Sequence, residues 1–86
     1  MLKYFLHPAA EKELSRIPLK EQGRIIEKLQ ELCRFSHPLQ HQKVIKLGGK
    51  EYEEFRLRVG DYRIKFIFRK PSFIFITHVQ HRQVGY

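Results

Sequence analysis

The chain has 86 residues, 42% hydrophobic and 13% aromatic, enough apolar side chain for one small core and too much for a disordered tail. Seventeen Lys and Arg against nine Asp and Glu give a formal charge of +8, a balance that favours nucleic acid or an acidic protein as partner. The lone cysteine, Cys33, excludes an intrachain disulfide, and the longest apolar run, Phe73-Ile74-Phe75-Ile76, is far too short to cross a membrane.

The expectation is one domain over residues 1–86, cytoplasmic, with no signal peptide. Residues 1–6 (MLKYFL) read as a short first strand, stopped near His7, and Pro8 suits the first turn of a helix. Residues 9–17 place Ala10, Leu14 and Ile17 on one helical face, and Pro18 breaks the pattern. Residues 19–35 give the strongest helix signal, with Ile25, Ile26, Leu29, Leu32 and Cys33 as its apolar stripe. Ser36-His37-Pro38 ends it, because the residue before proline avoids the α region. The two helices should form an antiparallel hairpin. Cys33, on the stripe, reads as a core residue.

After a connector at 39–42, residues 43–47 (KVIKL) read as a second strand with Ile45 and Leu47 on one face. Gly48-Gly49-Lys50-Glu51 is a turn. Residues 55–68 (FRLRVGDYRIKFIF) then read as two strands joined by Val59-Gly60-Asp61-Tyr62, where Gly60 supplies the positive φ of a tight hairpin. Alternation puts Phe55, Leu57, Val59, Tyr62, Ile64, Phe66 and Phe68 on a core face. It puts Arg56, Arg58, Arg63 and Lys65 together on the other. Like charges opposed across a hairpin are unfavourable, so this row points to an anionic partner; the plain alternative is a solvated strand face. Lys70-Pro71-Ser72 is a further turn, and residues 73–81 (FIFITHVQH) are a fifth strand. If Arg82 faces the open side, strict alternation sends His78 and Gln80 there too, and Phe75, Thr77 and Val79 to the helices.

The predicted architecture is α+β: βααββββ, a helical hairpin packed on one face of a mainly antiparallel, twisted sheet. The first strand should lie near the late ones. Charge follows this order. Residues 1–42 hold seven basic and five acidic residues, a net +2, and residues 43–86 hold ten and four, a net +6. His7, His37 and His41 lack ligand spacing with any other His or Cys, so no metal site is expected.

This order, the strand reading RLRVGDYRI and a C-terminal HR followed by a tyrosine resemble the RelE/ParE superfamily of bacterial and archaeal toxins. The resemblance covers nearly the whole chain. It implies a toxin held inactive by a cognate antitoxin, in a heterotetramer or larger toxin–antitoxin assembly. In the RelE branch it implies a metal-independent, cofactor-free mRNA interferase, an endoribonuclease that cleaves mRNA on the ribosome in the aminoacyl site. In the ParE branch it implies a non-nuclease inhibitor of DNA gyrase. A third possibility is an inactive relative that still binds antitoxin.

Carried over by position, the RelE resemblance gives Arg56, Arg58, Arg63, Arg82 and Tyr86 catalytic roles, with Lys46, Lys50, Lys65, His78 and His81 as RNA or phosphate contacts. The chemistry would transfer a phosphodiester to the ribose 2′-oxygen. That requires a base for the 2′-hydroxyl, charge stabilisation at phosphorus and a proton for the 5′-oxygen. Arginine suits the second task, because its fork matches phosphate oxygens. It suits the first poorly, being protonated at any ordinary pH. The best-known RelE pattern has lysines where Arg56 and Arg58 stand and a basic residue at Gly48. The base is therefore left open among Tyr86, His78 and His81, in that order.

Overall fold

A computed structural model describes residues 1–48 and 53–83 of the chain. Strand β1 (Lys3–Leu6) leads into helices α1 (Pro8–Ser15) and α2 (Leu19–Leu32), a 3-10 turn (Pro38–Gln40), and strands β2 (Val44–Gly48), β3 (Glu53–Val59), β4 (Tyr62–Arg69) and β5 (Phe73–His81). The strands form one sheet in the order β1-β5-β4-β3-β2. β2 to β5 is an antiparallel meander, and β1 returns parallel to β5, pairing Lys3 with Phe73 and Leu6 with Ile76. The first strand thus lies beside the last one, as expected, and the sheet is mixed.

Both histidine-proline pairs start helical turns. His7 caps α1, its Nδ1 accepting from Ala9 N–H at 3.0 Å, with Pro8 in the first turn. His37 repeats the device on the 3-10 turn, accepting from Leu39 N–H at 3.1 Å while Gln40 Oε1 accepts from His37 N–H at 3.1 Å. Helix α2 stops at Leu32, short of the expected residue 35. Arg34 and Phe35 N–H instead bond three residues back, to Glu31 and Leu32. The tightened turn swings the chain so that the His37 ring stacks edge-on against Phe68 and Phe55, at 5.1 and 6.0 Å between centroids.

One face of the sheet is core. Phe55, Leu57, Ile64, Phe66, Ile74 and Ile76 are wholly buried against Ala10 of α1 and Ile25, Leu29 and Leu32 of α2. Phe55 and Phe66 stack at 5.7 Å; truncating either to alanine would cost about 3–5 kcal/mol. The hairpin alternation is as read from the sequence. Gly60 has φ +57° and no other residue type among those described has positive φ, so only the first central position of the turn is left-handed, the type II′ pattern.

Two bulges change the reading elsewhere. In β5, Lys65 opposes His78 while Phe66 opposes Ile76, leaving Thr77 as the extra residue. Its hydroxyl donates to the Lys65 carbonyl at 3.2 Å. The extra residue resets the alternation. Ile74, Ile76 and Val79 are buried, whereas Phe73 and Phe75 stand exposed on the open face. The expectation that Phe75 shares a face with Val79 is therefore corrected. In β2, Val44 and Lys46 oppose the buried Leu57 and Phe55, and the register slips at Leu47. Ile45 opposes Arg56 on the open face and is 47% exposed.

Candidate anion-binding site on the open sheet face

The register assembles the basic residues into rows. Arg58 opposes Arg63, which opposes Gln80; Arg56 opposes Lys65, which opposes His78. Directly opposed side chains leave the sheet roughly 5 Å apart. Beyond the last strand, Arg82 N–H donates to the Asp61 carbonyl at 2.7 Å. That bond fastens the end of β5 to the β3–β4 turn and delivers Arg82 to the same place. Arg56, Arg58, Arg63 and Arg82 line one pocket of about 170 Å³ with Gly60, Asp61 and Tyr62. A shallower groove of about 260 Å³ continues from Arg56 and Arg58 past Ile45, Gln42 and Lys43.

Asp61 supplies the pocket's carboxylate. Its Oδ1 lies 3.6 Å from Arg82 Nε, and both side chains are more than half exposed, so the pair is weak and exchangeable. An incoming phosphate can compete for Arg82 at little cost. The pocket concentrates guanidinium groups of fixed charge, which suits it to grip a phosphodiester and to stabilise charge developing on its oxygens.

The other sequence-named residues are placed unevenly. Lys65 joins the basic rows on the open face. Lys46 opposes Phe55 on the helix-facing side and reaches Glu53, Nζ to Oε2 at 3.8 Å; the sheet separates it from the arginines. His81 opposes Tyr62, whose ring it meets edge-on at 5.3 Å. It belongs to the helix-facing groove with Glu13, Arg16 and Ile17, away from the arginine pocket. His78 neighbours the pocket without lining it, and its Nδ1 lies 3.4 Å from Glu13 Oε1. Lys50 and Tyr86 lie outside the described residues.

Sequence reasoning missed three contributors. Lys43 and Gln42 extend the basic groove; Gln42 lies in the connector at 39–42, which carries no periodic signal, and Lys43 opens the strand read at 43–47 with nothing local to mark it as a groove residue. Glu13, a helix residue, partners both His78 and the Val79 N–H; a contact across 66 residues has no local signature. Among the described residues no group of three or more His, Cys, Asp or Glu is placed to hold a metal ion, and no helix is long and apolar enough to cross a membrane.

Residues 4–86 match the family of ParE toxins of type II toxin–antitoxin systems, parDE. The chain belongs to this family, within the RelE/ParE superfamily. Among solved structures, it is similar over 98% of both chains to one in the archaeal RelE–RelB complex from Pyrococcus horikoshii, at 25% identity and a TM-score of 0.78. A chain of the RelB–RelE antitoxin–toxin complex from Methanococcus jannaschii shares 24% identity, with a TM-score of 0.69, over 91% of this chain and 90% of that one. A chain of the RelBE2 toxin–antitoxin complex from Mycobacterium tuberculosis shares 19% identity, with a TM-score of 0.76, over 94% and 98%. These last two likenesses are of fold. No curated protein sequence matches. The toxin thus carries its four described site arginines on a scaffold common to RelE structures.

Proposed function

We propose that this toxin is a ribosome-dependent mRNA endonuclease of the RelE kind. The observation that carries the reading is the convergence of Arg56, Arg58, Arg63 and Arg82 on one pocket of the open sheet face. A pure gyrase inhibitor has no need of clustered phosphate forks; a phosphodiester transferase does. In the proposed reaction the ribose 2′-oxygen attacks phosphorus and its proton passes to a base. The bond to the 5′-oxygen then breaks as that oxygen takes a proton from a general acid, the protonated base or water, leaving a 2′,3′-cyclic phosphate and a free 5′-hydroxyl. The arginines hold the scissile phosphate and stabilise the charge that builds on its non-bridging oxygens. The candidate bases are Tyr86, near the chain's end, and His78, whose ring Glu13 holds beside the Arg56–Lys65 row.

The test adds purified toxin to ribosomes programmed with mRNA. Cleavage in the aminoacyl site is expected, and Arg63→Ala should lose most of it while staying folded. Intact mRNA under conditions where a RelE relative cleaves would sink the reading.

The matching family is named for ParE, and this keeps a second reading: inhibition of DNA gyrase. A supercoiling assay decides it, with unimpaired supercoiling at excess toxin removing the idea. Under either reading the partner is a cognate antitoxin, as the three similar chains come from antitoxin complexes. Its acidic side chains would meet the arginine pocket, masking it. Co-purification from the native operon should recover a small neighbouring protein, released by salt if the contact is electrostatic.

A further inference from the structure

The open face has a second half that the arginine pocket does not use. Because the Thr77 bulge resets β5, Phe73 and Phe75 emerge on the same side as Arg63 and Lys65. Phe5 of β1 opposes Phe75 and joins them. The Phe5 ring lies 5.5 Å from that of Phe75, inclined by 21°, and 5.9 Å from that of Phe73, inclined by 37°. All three are exposed, by 47%, 36% and 38% for Phe5, Phe73 and Phe75. Ile67 of β4 lies beside Phe75, and Arg69 opposes Phe73. Lys3 opposes Phe73 from the other side.

We propose that Phe5, Phe73 and Phe75 form a base-stacking platform for single-stranded RNA whose phosphates lead into the arginine pocket. The proposal rests on the reading of that pocket as an RNA site and extends it along the sheet. Charge selects the occupant. On this face Lys3, Arg56, Arg58, Arg63, Lys65, Arg69 and Arg82 outnumber the carboxylates of Glu54 on β3 and Asp61 in the β3–β4 turn. An apolar protein segment would want the rings without the cations. A single strand wants both, because every base has a flat π-face and every linkage a charge. Arg63 and Ile67 are four residues apart on β4, about 13 Å at strand rise. That span fits a short run of nucleotides between the gripped phosphate and the stacked bases.

The chain contains no tryptophan, so Phe75→Trp introduces a single reporter at the platform. Titration with a ten-residue oligouridylate should quench the indole saturably. In parallel, binding of the labelled oligomer is measured by anisotropy for the natural chain, Phe75→Tyr and Phe75→Leu. Loss of stacking at one base should weaken binding roughly five- to a hundredfold in Phe75→Leu, whereas Phe75→Tyr keeps a ring and should bind like the natural chain. Phe5→Leu serves as a second variant should Phe75→Leu fail to fold. An indole that stays silent while the oligomer binds, equal affinity in the leucine variants, or absence of oligomer binding would each overturn the platform. So would loss of antitoxin capture in Phe75→Leu with RNA affinity unchanged, which would make the face a protein-docking surface. The two ideas fail separately: mRNA cleavage with a silent indole removes the platform alone, and quenching without cleavage removes the nuclease alone.

Discussion

Val79 N–H donates to Glu13 Oε1 at 3.0 Å, joining the last strand to the first helix. The contact closes a gap in the sheet. β1 pairs with β5 only as far as Ile76, where His7 N–H donates to the Ile76 carbonyl. Beyond that point β5 is an edge, and the Glu13 carboxylate satisfies the donor that a longer β1 would have taken. It also holds the His78 ring at 3.4 Å. Glu13→Ala should lower stability by about 1–2 kcal/mol, read from the urea midpoint, while Glu13→Gln retains an acceptor and much of the stability. Equal loss in both variants would show that charge, not the backbone bond, matters here.

Arg58 is exposed and directly opposes Arg63. Removing it relieves like-charge repulsion, so Arg58→Ala should change stability by no more than about 0.5 kcal/mol. RNA affinity should fall, and the slope of log affinity against log salt should shrink by about one phosphate contact. An unchanged slope would place Arg58 outside the RNA path.

Gly60 stands at φ +57°, and a Cβ there would meet only Arg24 Nη2 at 3.9 Å, an ordinary contact. Space is therefore available and backbone geometry alone opposes a side chain. Gly60→Ala should cost about 1–2 kcal/mol, with Gly60→Asn recovering part of it because asparagine tolerates the left-handed region. Thermal unfolding of the pair measures this. An alanine variant as stable as the natural chain would contradict the turn assignment.

His41 is 4% exposed, and its Nδ1 accepts from Lys43 N–H at 3.0 Å. Nδ1 therefore carries no proton, and Nε2 donates to Glu31 Oε1 at 3.0 Å. The Lys28 ammonium, at 3.2 Å from Oε2, and His41 hold the Glu31 carboxyl below its ordinary value of 4.5. Because the folded protein favours the ionised form, this contribution is present above the unfolded value and is lost as pH falls through the folded one. Urea midpoints at pH 6 and pH 3 should differ more for the natural chain than for Glu31→Gln. Identical pH dependence in the two would count against the contact as an acid-sensitive one.

The hairpin around Gly60 was legible because local patterns dictate it. Strict alternation over β3 and β4 puts Phe55, Leu57, Ile64 and Phe66 inside and the arginines outside, and the register then follows from the turn. The helical stripes were legible for the same reason, and Ile25, Leu29 and Leu32 are buried as their spacing requires. The family resemblance was legible in the element order, the strand RLRVGDYRI and the C-terminal Arg82 and Tyr86, and the family match covers residues 4–86.

The tertiary structure decided what depends on partners distant in sequence. Thr77 as a bulge, and with it the face of Phe75, is set by how nine residues of β5 must pair with eight of β4. Nothing in FIFITHVQH marks the extra residue. Lys46 and His81 went to the helix-facing side because each opposes a core-facing residue, Phe55 and Tyr62, on a neighbouring strand. The anion pocket itself is a product of both levels. Alternation determined that Arg56, Arg58 and Arg63 share a face; only the backbone bond from Arg82 to Asp61 brought the fourth arginine to them.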